Sequence, residues 1–210
     1  MKQILTTLPL LGLAALLLSS TAAFAQDGKK DEKKGDDKVA VAEIGKAAPA
    51  FELKDLDGKA VKLSDYKGKI VVLEWFQPSC PYCVAGYAED GNCRVTNEKL
   101  AKDGVVWLLV NSDNADHPDS KIEANREFMK SRKLSHTVLM DTDGKVGKAY
   151  GAKTTPHCMV IDAKGVLAYR GAIDNAKEKD AKEKVNFVEA AVTELKAGKE
   201  VTRKDTKSYG

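Results

Sequence analysis

Residues 70–76, IVVLEWF, are followed after three residues by Cys80-Pro81-Tyr82-Cys83. The β-branched and aromatic run reads as a strand buried on both faces. Pro81 to about Lys102 reads mostly as helix, interrupted near Gly86 and at Asp90-Gly91-Asn92. The two cysteines therefore fall where a buried strand hands over to a helix. Cys80 would stand at the helix head, where unpaired backbone N–H groups and the helix dipole favour a thiolate. Pro81 at the first helical position has no N–H to lose and a suitable φ. Cys83 follows one turn later, within reach of the first sulfur. A cysteine so placed titrates at about 3.5–7.5, and the thiolate is the form that attacks a disulfide. A zinc half-site is the competing reading. It needs two more ligands at comparable spacing, whereas Cys93 and Cys158 are isolated and His117, His136 and His157 are scattered. Strand, Cys-x-x-Cys and helix in that order point to redox chemistry.

The rest of the chain supplies strands and helices around this joint. Phe51 and Leu53, then Val61 and Leu63, alternate with polar residues across Asp57-Gly58, a hairpin pattern. Residues 105–110 (VVWLLV) form a second buried strand. Ser120 and Glu123 have capping-box spacing ahead of a helix through Phe128 and Met129. A short strand at 137–140 and a small helix at 146–150 follow. Residues 159–161 and 166–169 pair across Lys164-Gly165. A last helix covers about 182–196, with Val185, Val188, Val192 and Leu195 on one face. The order predicts an α/β chain with a central mixed sheet flanked by helices and an N-terminal β-hairpin extension.

Residues 1–25 do not read as part of this fold. Lys2, an apolar stretch to Leu18 and Ala23-Phe24-Ala25 form a secretory signal peptide, cut before Gln26. The apolar run is short of the roughly 18–20 residues a spanning helix needs, which weighs against an anchor. Residues 26–38 are charged and almost without apolar side chains, a disordered linker. The domain runs over 39–198, and 199–210 is a flexible polar tail. Export puts the four cysteines in an oxidising compartment, periplasmic or otherwise exported. Lys plus Arg is 34 and Asp plus Glu is 31, with the signs interspersed. That balance excludes a basic face for nucleic acid. No membrane span is expected after signal cleavage.

Residues 75–83, Trp-Phe-Gln-Pro-Ser-Cys-Pro-Tyr-Cys, together with Thr154-Thr155-Pro156, resemble the thioredoxin superfamily. Ala48-Pro49-Ala50-Phe51, the LSDYKGK run at 63–69, and Asp141-Thr142-Asp143-Gly144 before Tyr150-Gly151 are similar to exported redoxins. That group joins cytochrome-maturation thioredoxins to AhpC/TSA-like proteins. The resemblance covers about residues 44–197 and implies a thioredoxin-like fold exchanging disulfides with protein substrates. It implies that Pro156 is a cis-proline, whose loop packs against the redox sulfurs, and that Thr155 offers backbone groups to a substrate strand. Glu74, six residues before Cys80, matches the superfamily's buried acid. Burial would raise its pKa and suit it to move the Cys83 proton; a sheet-surface Glu74 paired with Lys69 is the alternative. Tyr82 and Trp75 are candidates for an apolar rim around the site, with core packing as the alternative for Trp75.

The resemblance leaves activities open. Peroxiredoxins carry Thr three residues before the peroxidatic cysteine and Pro four before that Thr, where this chain has Gln77 and Leu73. A thiol peroxidase using Cys80 is thus an alternative. Copper-carrying relatives use Cys-x-x-x-Cys plus a distant His; this chain has Cys-x-x-Cys, and a copper-binding chaperone is a further alternative. Cys93 and Cys158 are candidates for a structural disulfide or for two buried thiols, with Cys93 as an extra resolving partner the third option. The expected exchange needs no cofactor or metal. Its expected partners are protein thiols and disulfides and a membrane reductant or oxidant, and the expected state is a monomer. Pro81-Tyr82 resembles glutaredoxins, and the direction of exchange is not set by it.

Overall fold

The computed structural model describes residues 41–178 and 180–210. The expected signal peptide, the whole of the expected linker and the first two residues of the expected domain, 39 and 40, lie outside these residues. Seven strands form one mixed sheet: β1 (Glu52–Asp55), β2 (Ala60–Lys62), β3 (Val71–Trp75), β4 (Val106–Asn111), β5 (Thr137–Met140), β6 (His157–Ile161) and β7 (Leu167–Gly171). Their order is β2-β1-β5-β4-β3-β6-β7. Strands β3, β4 and β5 are parallel, whereas β1, β2, β6 and β7 join antiparallel. The helices are α1 (Pro81–Gly86), α2 (Asn92–Lys102), α3 (Ile122–Ser131), α4 (Lys145–Tyr150) and α5 (Phe187–Lys196). This is the expected thioredoxin-like arrangement with its N-terminal hairpin. Among the described residues, no helix is long and apolar enough to cross a membrane.

Strand β3 lies near the centre of the sheet, and all five of its residues are buried. A strand covered on both faces reads as a continuous apolar run rather than an alternating one. Its pleat still sorts the side chains. Val71, Leu73 and Trp75 join one core with Phe51, Leu108 and Tyr150. Val72 joins the other with Phe76, Trp107, Phe128 and Val188. Glu74, two residues from both Val72 and Phe76, is thereby turned into this second core. Cys80, Cys83, Cys93 and Cys158 all belong to it as well.

The helix after the cysteines breaks where the glycines stand. An added Cβ at Gly86 would come within 2.6 Å of Cys93 Sγ, and one at Gly91 would strike the backbone oxygens of Ala85 and Gly86. The two glycines let α2 return tightly beneath α1, which brings Cys93 under the active loop.

Three local expectations are corrected. Ser120 does not cap α3: Lys121 is its N-cap, and Ser120 Oγ instead donates to the carbonyls of Ala115 and His117 in a 3-10 turn. Helix α5 begins at Phe187, capped by Asn186 Oδ1 accepting from the Glu189 N–H at 2.9 Å, and Val185 stays exposed before it. Residues 199–210 are docked rather than free. Val201 is buried, the Arg170 N–H donates to the Lys204 carbonyl (2.9 Å), and the Thr206 N–H donates to the Arg170 carbonyl (3.0 Å). The exposed edge of β7 offers backbone groups that a polar segment satisfies as well as an apolar one.

Gly91→Ala is expected to destabilise the protein by about 1–3 kcal/mol, because backbone oxygens cannot move aside as a side-chain end can. Urea unfolding followed by tryptophan fluorescence checks this; an unchanged midpoint would contradict the close approach.

Candidate active site

Cys80 is the N-cap of α1, with extended backbone (φ −62°, ψ 122°), and Pro81 takes the first helical position. The sulfur is largely covered, and Cys83 is wholly buried. The Cys83 thiol donates a hydrogen bond to the Cys80 sulfur, the largest cause that lowers the Cys80 pKa. The Thr155 side chain and the backbone N–H groups of Cys83 and Tyr82 also lower it, and burial opposes them. The outcome is a Cys80 pKa lowered from 9.0 to about 5, so the thiolate prevails at neutral pH. Cys83 moves the opposite way. Its donation to Cys80, its burial and the nearby Glu74 carboxylate all push its pKa far up. One sulfur is ionised and the other keeps its proton.

Glu74 lies beneath this pair, fully buried. Its Oε2 accepts hydrogen bonds from Tyr87 Oη (2.6 Å) and Trp107 Nε1 (2.9 Å). Among the described residues Oε1 meets no hydrogen-bond partner of good geometry. Burial is the dominant influence and raises the pKa from 4.5 to about 7; Tyr87, Trp107 and Cys93 pull it partly back. The alternative of a surface Glu74 paired with Lys69 is not what the fold builds. Tyr87 and Trp107 were not singled out from the sequence. Tyr87 stands 13 residues and Trp107 33 residues from the carboxylate they bind, so no local pattern marks them.

On the open side, the Thr155–Pro156 peptide is cis. The Cys80 thiol, when protonated, donates to the Thr155 carbonyl at 2.9 Å. A cleft of about 380 Å³ adjoins this loop, lined by Trp75, Gln77, Asp113, Lys148, Lys153 and Thr155 among others. Trp75 is mostly a core residue: its ring packs on Tyr150 at 5.5 Å and its Nε1 donates to Ser112 Oγ at 3.0 Å. Only its edge reaches the cleft. Tyr82, between the two cysteines, is exposed. The structure thus brings Cys80, Cys83, Glu74, Thr155 and Pro156 around one sulfur, with Tyr82 outside and Trp75 largely beneath.

The redoxin family model matches residues 43–185. The chain belongs to the redoxin family. Among curated relatives, a thiol-disulfide oxidoreductase ResA of Bacillus thuringiensis subsp. konkukian is 31% identical over 139 residues, covering 65% of this chain and 73% of that protein. A chloroplastic peroxiredoxin Q of Oryza sativa subsp. japonica is 33% identical over 136 residues, covering 60% of this chain and 57% of that protein. A crystal structure of a hypothetical protein from Sinorhizobium meliloti superposes with TM-score 0.69 at 25% identity, covering 80% of this chain and 92% of that one.

Two further clusters flank the site of this redoxin. Asp113, His117 and Asp119 bring one ligand atom each within 4.8 Å of one another, the donor set here that could hold a metal ion. All three are engaged in shaping the loop. His117 Nδ1 accepts from the Asp119 N–H (3.2 Å), and Asp119 accepts from Ser79 Oγ. Gln77 Nε2 donates to Asp113 Oδ1 at 3.1 Å. Together they hold residues 77–79, the approach to Cys80. His157 is buried and its Nδ1 accepts from the Lys153 N–H (3.2 Å). Burial lowers its pKa to about 4, so it stays neutral.

The disulfide considered between Cys93 and Cys158 is not formed; all four cysteines are free and buried. Cys158 sits opposite Glu74 in the β3–β6 register. Burial and the Glu74 charge push both of these thiols well above their usual range. Both remain protonated; Cys93 donates to Glu74, and Cys158 packs as a small apolar group.

Two measurements follow from these shifts. The rate of Cys80 alkylation by iodoacetamide should rise with pH through a midpoint near 5 in the reduced protein; a midpoint near 9 would contradict the site. Glu74 has a raised folded pKa, so its contribution to stability is full below about 4.5 and is lost as pH rises through about 7. Glu74→Gln removes this dependence. Between pH 4 and pH 8 the reduced wild type should therefore lose about 3 kcal/mol relative to the variant, read from urea unfolding at each pH.

Proposed function

We propose that this redoxin is an exported thiol–disulfide oxidoreductase exchanging disulfides with protein substrates through Cys80 and Cys83. The observation that carries the reading is the division of labour between the two sulfurs: Cys80 is held as a thiolate at the head of α1 and Cys83 as a buried thiol bonded to it. The relative named thiol-disulfide oxidoreductase ResA supports it. Export rests on the signal-peptide pattern of residues 1–25, and 26–38 would then be the charged segment ahead of the domain after cleavage. The substrates would be protein thiols and disulfides, with a membrane reductant or oxidant restoring the pair.

In the reducing direction, Cys80 thiolate attacks one sulfur of a substrate disulfide. The substrate S–S bond breaks, one substrate thiolate leaves, and a mixed disulfide joins Cys80 to the substrate. The negative charge on Cys80 is now gone, and with it the main reason for Cys83 to hold its proton. Glu74, titrating near 7, takes that proton directly or through a water. Cys83 thiolate then attacks Cys80 Sγ, the mixed disulfide breaks, and the second substrate thiolate leaves and is protonated. Two electrons have passed from the cysteine pair to the substrate, leaving a Cys80–Cys83 disulfide. In the oxidising direction the same steps run backwards.

Cys80→Ser is expected to reduce insulin only at the uncatalysed rate. Cys83→Ser should accumulate a covalent complex with the substrate, visible on a non-reducing gel and dissolved by dithiothreitol. Peroxide consumption is assayed in parallel. Fast peroxide turnover surviving Cys83→Ser, with no trapped complex, would replace this reading with a peroxidase acting through Cys80 alone. Tight stoichiometric Cu(I) binding with no disulfide exchange would replace it with a metal carrier.

A further inference from the structure

The last residues of the chain lie on the active site. Gly210 stands directly against the backbone N, C and O of Thr155, so closely that no side chain could be built there. The same Thr155 carbonyl accepts from Cys80 Sγ. The Tyr209 ring packs against Tyr82, the residue between the two cysteines, with centroids 5.9 Å apart. Tyr209 Oη donates to Asp174 Oδ1 (2.5 Å) and accepts from Asn92 Nδ2 (3.2 Å). Asn92 Nδ2 also donates to Asp174 Oδ2 (2.5 Å), which fixes the seat for the phenol.

This placement is anchored from behind. Arg170 pairs with Asp205 at 2.8 Å. Thr206 Oγ1 accepts from the Ala172 N–H (3.0 Å) and lies 2.6 Å from Tyr169 Oη. Gly171 has φ +152°, and an added Cβ would collide with Thr206 Oγ1 and backbone. Residues 204–206 thus line up along the edge of β7 and aim 207–210 across the site.

We propose that residues 207–210 form a displaceable strap that stands where a substrate polypeptide must lie, with Tyr209 as its latch. The inference rests on the disulfide-exchange reading, in which Thr155 offers its backbone to the substrate. With the strap in place Cys80 is buried, and Gly210 and Tyr209 lie on the residues to either side of it, Thr155 and Tyr82. An extended polypeptide gains the Thr155 backbone and the Tyr82 face only by lifting 207–210 away. The fraction of molecules with the strap lifted then scales the apparent affinity for substrate. The anchor at 204–206 stays seated, so the strap swings and is not lost. The seat between Tyr82, Asp174 and Asn92 is left open to an aromatic side chain of the incoming chain.

Tyr209→Ala removes the ring contact and both hydrogen bonds. Tyr209→Phe removes only the hydrogen bonds. In the reduced full-length protein, alkylation of Cys80 by a bulky polyethylene-glycol maleimide should accelerate about 10-fold or more in Tyr209→Ala and less in Tyr209→Phe. Mass spectrometry should find Cys83, Cys93 and Cys158 unmodified in both, since a general loosening would expose all four. Insulin reduction should show KM lowered by a similar factor in Tyr209→Ala with kcat little changed. An unchanged or slower maleimide rate at Cys80, or equal acceleration at all four cysteines, would overturn the strap. Faster Cys80 labelling with no disulfide reduced by wild type or variant would leave the strap standing and overturn the exchange reading instead.

Discussion

The hydrogen bond between the Cys83 thiol and the Cys80 sulfur sets the character of everything around it. Two cysteines one helical turn apart would ordinarily titrate together. Here a single proton is shared unequally: the outer sulfur is stabilised as an anion, and the inner one is made to hold its hydrogen. The asymmetry comes from position. Cys80 caps a helix and has the N–H groups of Tyr82 and Cys83 aimed at it, whereas Cys83 is enclosed by apolar groups and faces a carboxylate. In the proposed exchange the bond would also give the pair its order of action: once the outer sulfur is in a mixed disulfide it no longer needs the proton, and the inner sulfur is freed to react.

The carboxylate below is the expensive part of this arrangement. An isolated buried carboxylate costs several kcal/mol unless it neutralises or is paired. Among the described residues no cation contributes to the Glu74 pKa. Tyr87 and Trp107 offset part of the cost by donating to one oxygen, and the other oxygen meets no hydrogen-bond partner of good geometry among the described residues. A group held in this way is neither a committed acid nor a committed anion near pH 7. That is the property a proton carrier for Cys83 requires, and a fully satisfied carboxylate would lack it. Cys93 donates weakly to the carboxylate, and Cys158 stands opposite it in the β3–β6 register.

What the sequence disclosed about the site was what depends on short range. The strand, the Cys80 cap, Pro81 and the one-turn spacing to Cys83 are all set within 14 residues, and the break at Gly86 and Gly91 is visible for the same reason. Glu74 and the Thr155–Pro156 loop were legible only through resemblance, because their relation to the sulfurs is made by the sheet: β6 returns beside β3 and carries the loop with it. Tyr87 and Trp107 left no signal, since a tyrosine or tryptophan in a core segment looks the same whether or not it serves a carboxylate. Residues 199–210 misled through composition. Lysines and threonines read as a solvated tail, yet the edge of β7 presents backbone N–H and C=O groups that such a segment can answer. Ser120 misled because a 3-10 turn claimed its hydroxyl before the helix could.

The loop before Cys80 separates the two activities seen among relatives of this chain. Gln77 stands three residues before the sulfur, where the peroxidase pattern places a threonine. Its amide is turned away to Asp113, and Ser79 is turned to Asp119. Both side chains that could have faced a peroxide at Cys80 are thus occupied in holding the loop to the end of β4 and the turn that follows. The contacts that activate Cys80 come instead from α1, the Cys83 thiol first among them, and from the Thr155 side chain. A sulfur ionised by its own helix and its neighbouring thiol needs no donor from the loop. In the proposed exchange a substrate polypeptide would meet it through the cis-proline side of the site, along the Thr155 backbone against which Gly210 now stands.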